Sequence, residues 1–301
     1  MTTPARAAAL LIGLALGMVA TKARAWGDDG HRVIGEIAWR YLTPEAQSAV
    51  KESLTDAGYE DLAEAATWPD TFARRFSEYD PMKPLHYVNV AARAERYWQA
   101  RDCPYGCVVT ALTAFVALLE SKDPPPSVDE RRRCVYWISH FVGDLHQPLH
   151  VGHPDGKGGT ATRLRFFEAP DPVSAHWIWD TGLIERRPPP DAERAPSTDQ
   201  PRHRALAEEL VRALTPERVT AWQRTTSAER IVDESLALAQ RSAYLRSADQ
   251  VNAAYAQSRW SVVSTQLSKA GVRLAAIFNR ALKSPPATPG RTRAAAPPGA
   301  D

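Results

Sequence analysis

Two histidine–aspartate pairs stand at helical spacing: His140 with Asp144, and His176 with Asp180. On an α-helix, residues i and i+4 leave the same face. Each pair therefore brings an imidazole nitrogen and carboxylate oxygens to one point. That donor set is one zinc takes in catalytic sites. His150 follows Asp144 by six residues, just past Pro148. The ordinary reading of a single pair is a surface ion pair. For His140–Asp144 that reading meets an obstacle, because Val135–Leu145 also carries Trp137, Ile138, Phe141 and Val142. A helix of that composition is expected to be buried. A buried carboxylate beside a buried imidazole needs compensation, and a cation supplies it.

The elements that must position these residues read as mainly helical. His31 to Leu42 places Val33, Ile34, Ile37, Ala38 and Tyr41 on one side. Thr43 and Pro44 restart a helix as N-cap and first helical residue. Val108–Glu120, Val128–His146, Ser174–Ile184, Ala205–Leu214, Ser227–Gln240 and Val251–Leu282 are further predicted helices. The five prolines between Arg187 and Arg202 predict a surface loop. Short extended pieces are expected at Tyr87–Val90 and Thr162–Phe167, too few for more than a short β-hairpin. Trp39, Trp98, Trp137, Trp222 and Trp260 read as core aromatics. With no internal repeat and no linker between two cores, the expectation is one helical domain over residues 26–283. A Pro/Ala/Gly-rich tail expected to be disordered covers 284–301.

Residues 1–25 read as an address rather than structure. Arg6 precedes fourteen apolar or small residues, Ala7 to Ala20, and Ala23-Arg24-Ala25 is a small-x-small cleavage pattern. Fourteen residues fall short of the ~20 needed to span a bilayer. The expectation is export, to a periplasm or outside the cell, with no membrane anchor after cleavage and Trp26 as the new N-terminus. The chain carries 37 Lys+Arg against 35 Asp+Glu; without residues 1–25 the balance is 34 against 35, or −1. That excludes the large positive field usual for a duplex-DNA binder. Cys103 and Cys107 flank a turn containing Pro104 and Gly106 that can bring their sulfurs together, as an oxidising compartment favours. Cys134 lies in a helical stretch and is expected as a buried free thiol.

His140-Phe141-Val142-Gly143-Asp144-Leu145-His146-Gln147-Pro148-Leu149-His150 resembles the hallmark segment of the S1/P1 nuclease family. Trp26-Gly27-Asp28-Asp29-Gly30-His31 is similar to that family's mature N-terminus. Trp68-Pro69-Asp70, Leu85-His86-Tyr87-Val88-Asn89, His176-x-x-Trp179-Asp180-Thr181-Gly182-Leu183 and Gln266-Leu267-x-x-Ala270-Gly271-x-Arg273-Leu274-Ala275 match further blocks in the family's order. The resemblance implies a mainly α domain of the phospholipase C/P1 nuclease type. It also implies a site of three zinc ions. One would be held by Asp70, His86, His140 and Asp144, and a second by His150, His176 and Asp180. The third would be held by the amine and carbonyl of Trp26 with His31 and Asp144. The implied activity is hydrolysis of single-stranded DNA and RNA to 5′-phosphate products, with 3′-nucleotides as further substrates and no obligate protein partner. Asp70 would also orient the attacking water, Tyr87 would stack on a base and Asn89 belongs to the same substrate block.

Several positions depart from the family pattern. Ala73 stands where the family often has an arginine, so Arg74 or Arg75 is expected to take that role. Thr160 and Ala161 follow Gly158-Gly159 where Asn and Asp are usual, and Asn89 stands where some members have Asp. His146, His153 and His203 remain for supporting or surface positions. The rival readings are a zinc-dependent phospholipase C, whose last carboxylate is typically Glu rather than Asp180, and an exported zinc-binding protein without catalysis.

Overall fold

The computed structural model describes residues 26–55, 58–59, 61–189, 200–246 and 249–283. The leader read at 1–25, the tail read at 284–301 and positions 190–199 of the proline-rich loop lie outside them. Eight principal helices build the domain: α1 (Asp28–Tyr41), α2 (Pro44–Leu54), α3 (Val108–Leu119), α4 (Val128–His146), α5 (Arg202–Arg212), α6 (Pro216–Gln223), α7 (Ala228–Leu238) and α8 (Ala253–Ala281). Among the described residues no helix is long and apolar enough to cross a membrane.

Helix α4 is the central element. A reciprocal capping box starts it: the Glu130 N–H donates to Ser127 Oγ, and the Glu130 carboxylate accepts from the Ser127 N–H at 2.9 Å. From Cys134 to His146 every residue is buried, because α1, α2, α3, α7 and α8 all pack on it. Its last carbonyls would be orphaned inside the core. Ser235 Oγ on α7 donates to the Leu145 carbonyl at 2.6 Å, and Gln266 Nε2 on α8 donates to the His146 carbonyl at 2.8 Å.

Helix α8 has 29 residues, a length of about 43 Å at ~1.5 Å per residue. Asn252 caps it by accepting the Tyr255 N–H. It lies along α1, whose Val33, Ile34, Ile37 and Ala38 are buried. Gly271 permits the close approach: a Cβ there would lie 2.5 Å from Ile37 Cβ.

The expected hairpin is present and carries a third short strand. β1 (Arg163–Phe166) pairs antiparallel with β2 (Val173–Ser174), in register Arg163 to Ser174, and parallel with β3 (Gln250–Val251). Three local expectations are corrected. The Ser174–Ile184 helix is Ala175–Trp177 followed by a π-turn at Ile178–Gly182 and a further turn at Leu183–Glu185. The last helix begins at Ala253, since Val251 is engaged in the sheet. Trp98 is not a core residue: it is 62% exposed and precedes the single helical turn Gln99–Asp102, where its N–H donates to Asp102. Trp137 is buried as expected, and Trp39, Trp222 and Trp260 pack partly buried against the core.

Candidate metal centre

Side chains from six separate segments, α4 among them, converge on one site. Asp144 and His140 come from α4 itself, and His31 from the first turn of α1. Asp70 comes from the short helix Trp68–Thr71, and His86 from the end of the 3₁₀ stretch Ser77–His86. His150 belongs to the turn Pro148–His150, and His176 and Asp180 to the interrupted helix after β2. All eight are buried. They form three groups whose ligand atoms lie within 4.8 Å of one another: His31 with His140 and Asp144, Asp70 with His86 and His140, and His150 with His176 and Asp180.

Asp144 stands between the groups. Its Oδ1 is 3.6 Å from His31 Nε2 and 3.7 Å from His150 Nδ1. Its Oδ2 is 3.1 Å from His86 Nδ1 and 3.5 Å from His140 Nε2. His140 Nε2 and His86 Nδ1 are 3.0 Å apart, and His176 Nε2 is 3.2 Å from Asp180 Oδ2.

Backbone carbonyls orient the rings. His140 Nδ1 lies 2.9 Å from the Ala66 carbonyl, His150 Nδ1 2.9 Å from the His86 carbonyl and His176 Nδ1 2.7 Å from the Gly158 carbonyl. Each Nδ1–H donates outward, which leaves the Nε2 lone pair facing the cluster, the tautomer a metal ligand requires. The extended segment Tyr87–Val90 runs beside the His150 turn, with the Val88 N–H donating to the His150 carbonyl at 2.8 Å and the Val90 N–H to the Val151 carbonyl at 3.0 Å. His86, Val88 and Val90 are buried while Tyr87 and Asn89 are exposed, as alternation along an extended chain dictates. Tyr87 and Asn89 therefore lie outside the cluster, on the solvent side of its neighbouring segment.

Electrostatics favours a cation here. Burial, joined by neighbouring imidazoles, holds His31, His86 and His150 well below the usual histidine range. Burial also lowers His140, and lowers His176 to about 4. Burial pushes the carboxyls of Asp144 and Asp180 well above theirs; the charge of Asp70 adds to this at Asp144, and the Gln147 amide opposes it at Asp180. The imidazoles are thus held neutral and ready to ligate, beside carboxyls whose ionisation nearby positive charge would favour. Both nitrogens of His31, His150 Nε2 and Asp144 Oδ1 are buried without a hydrogen-bond partner among the described residues. Buried polar atoms are rarely left so. Metal ions between them would satisfy one nitrogen of His31, His150 Nε2 and Asp144 Oδ1, so the residues present fit the implied metal.

The remaining expected residues sort as follows. Trp26 is fully buried, and the Gly27 N–H donates to the Asp180 carbonyl at 2.8 Å, which brings the first described residues to the cluster. Of the two arginines, Arg74 faces the site: its Nε lies 2.7 Å from Asp70 Oδ1. Arg75 is exposed and Ala73 buried. His146 does not touch the ligands. Its Nδ1 lies 2.7 Å from the Val142 carbonyl, and its Nε2 lies 3.0 Å from Arg273 Nη1, whose guanidinium also pairs with Glu234 at 2.9 Å. His153 is buried against Asp155 and Tyr244, and His203 lies 4.0 Å from Glu36. Cys103 and Cys107 form a disulfide, and Cys134 is a buried free thiol.

Sequence reasoning gave Gln147 no role. Its side chain is fully buried between the His150 turn and Asp180, and its Nε2 donates to Asp180 Oδ1. Nothing in the local sequence pattern signals this contact, which joins residues 33 apart in the chain.

Comparison with known proteins places this geometry. The family profile described as S1/P1 Nuclease matches residues 26–283. The chain is 28% identical to Endonuclease 2 of Arabidopsis thaliana over 293 residues, covering 90% of this chain and 95% of that protein. It is 29% identical to Endonuclease 4 of the same plant, covering 91% and 94%. It is 30% identical to Nuclease S1 of Aspergillus oryzae over 169 residues, covering 53% and 55%.

Proposed function

The chain belongs to the S1/P1 nuclease family and is a nuclease-type hydrolase; from that premise we propose that it is an exported zinc enzyme. Its substrates are single-stranded DNA and RNA, cleaved to 5′-phosphate products, together with 3′-nucleotides. The observation that carries this reading is the convergence of three buried His/Asp groups on Asp144. Three zinc ions are its complement: one on Asp70, His86, His140 and Asp144, one on His150, His176 and Asp180, and one on Trp26, His31 and Asp144. Zinc bound there supplies positive charge for a phosphodiester and lowers the pKa of water to about 7.

The chain's own residues set the rest of the chemistry. The Asp70 carboxylate orients the attacking water. The Arg74 guanidinium, held by Asp70 at 2.7 Å, faces the same space and neutralises charge that builds on the phosphate. Tyr87, exposed directly after His86, stacks on a base, and Asn89 on the same side of the segment hydrogen-bonds a base edge. Stacking of this kind accepts any base and demands an unpaired one. Export is supported by the Cys103–Cys107 disulfide, which an oxidising compartment sustains. Cleavage after Ala25 gives Trp26 a free amine that can bind metal, where the precursor has an amide.

The test is metal content and hydrolysis of the mature protein before and after chelation. Single- and double-stranded DNA of equal length, RNA, a 3′-nucleotide and a phosphatidylcholine serve as substrates. Preferential cleavage of the single strand, lost on chelation and restored by zinc, is the expected result. A protein that binds no zinc, or that prefers the phospholipid, overturns the proposal.

A further inference from the structure

Gln147 ends α4 and begins the turn that carries His150. Its backbone N–H donates to the Asp144 carbonyl at 3.0 Å. Its side-chain Oε1 accepts the Leu149 N–H at 2.5 Å, capping the Pro148–His150 turn. A backbone N–H can only donate, so this contact settles which end of the amide is which. Nε2 must then point the other way, where it donates to Asp180 Oδ1 from 33 residues away in the chain. The other carboxylate oxygen, Oδ2, is left facing His176 Nε2 at 3.2 Å. One rigid amide thus ties the turn bearing His150 to the rotamer of Asp180.

We propose that Gln147 is a positioning residue that assembles the His150–His176–Asp180 metal site by joining the His150 turn to the Asp180 carboxylate. The inference rests on the metal reading above and deepens it. Side-chain chemistry explains the choice of residue. Glutamate would satisfy Leu149 but set a second carboxylate against Asp180. Asparagine is one methylene short of spanning the two partners. Methionine has the length and no donor. Partners behind a metal ligand typically alter metal affinity by about 10–100-fold when removed.

Gln266 provides an internal control. It is another buried glutamine at the same end of α4, donating to the His146 carbonyl, and it touches none of the eight clustered side chains. The experiment titrates zinc into chelated, mature full-length protein and follows ion count by native mass spectrometry and thermal midpoint by calorimetry. Relative to the unmodified protein, Gln147→Met and Gln147→Asn are expected to weaken one ion by about 10–100-fold and leave the others unchanged. Gln266→Met is expected to lower the thermal midpoint and leave every zinc dissociation constant where it was. If Gln147→Met does not fold, Gln147→Asn, which keeps the amide, carries the test. Unchanged zinc binding in a folded Gln147 variant overturns the proposal, and so does an equal loss of zinc in Gln266→Met. An unmodified protein that binds no zinc overturns the metal reading itself, an outcome distinct from both.

Discussion

The His31 ring lies directly over Gly143: a methyl group on that glycine would stand 2.8 Å from His31 Cε1 and Nδ1. The ring has little room to yield, because it also stacks on His140 with centroids 4.0 Å apart. The first expected outcome follows. Gly143→Ala should displace His31, with an overpacking cost of about 1–3 kcal/mol, and should lose the ion assigned to Trp26, His31 and Asp144 while keeping the other two. Ion counting with a melting curve checks it; three retained ions and an unshifted melt would contradict the packing argument.

Arg74 and Arg75 are neighbours in sequence and differ in placement. Arg74 pairs with Asp70 at the rim of the cluster, and Arg75 is exposed. Arg74→Ala is expected to lower kcat by about 100-fold, the scale of losing one preorganised donor to transition-state charge. Arg75→Ala should leave kcat near that of the unmodified enzyme. Steady-state kinetics on a single-stranded oligonucleotide decide it, and equal losses in the two variants would remove the distinction.

A form that retains one residue ahead of Trp26 should fold and bind one zinc fewer. An α-amine, with an ordinary pKa of about 7.7–8, can deprotonate and ligate, whereas an amide nitrogen cannot. Equal zinc content in the two forms would take Trp26 out of the ligand set.

What was legible in the sequence was local. The Val128–His146 helix was legible from its apolar residues, and His140 with Asp144 follows from the period of that helix, whose residues from Cys134 onward are buried. Asp70 and His86 could be joined to that pair only by resemblance, since their approach depends on how separate segments pack. Helix α6 was missed because its 8 residues carry only Val219 and Trp222 as large apolar side chains, both partly buried, too short a run to show a period, although Thr215 and Pro216 do signal a start. The π-turn at Ile178–Gly182 breaks the regular helix expected there, yet His176 and Asp180 still meet. The contact between Gln147 and Asp180 spans 33 residues and leaves no mark on local pattern.

Cys134 should be silent in the native protein. It is buried in α4, and burial pushes its thiol up to about 12, so little thiolate exists at pH 8. A thiol reagent should label no cysteine in the folded chain, one after denaturation and three after denaturation with reduction. Rapid labelling of the native protein would show that the core around α4 opens.

Chelation should leave a protein that acid weakens further. Seven histidines (His31, His86, His140, His146, His150, His176 and His203) are lowered by burial in the folded chain, and unfolding returns each toward about 6.5. As pH falls below that value the unfolded chain takes up protons the folded chain refuses, so stability drops with pH. Asp144 and Asp180 act in the opposite sense. Their raised folded values give a contribution that is full below about 3.9 and is lost as pH rises through the folded values. Between pH 7 and pH 5 the seven histidines outnumber the two aspartates, and the net sign is theirs. The thermal midpoint should fall on chelation at pH 7, since bound metal stabilises by mass action, and should fall again as the chelated protein is taken to pH 5. Calorimetry at half-unit intervals measures this. A midpoint that rises toward pH 5 would mean that the two carboxyls, rather than the imidazoles, dominate the proton balance of the metal-free site.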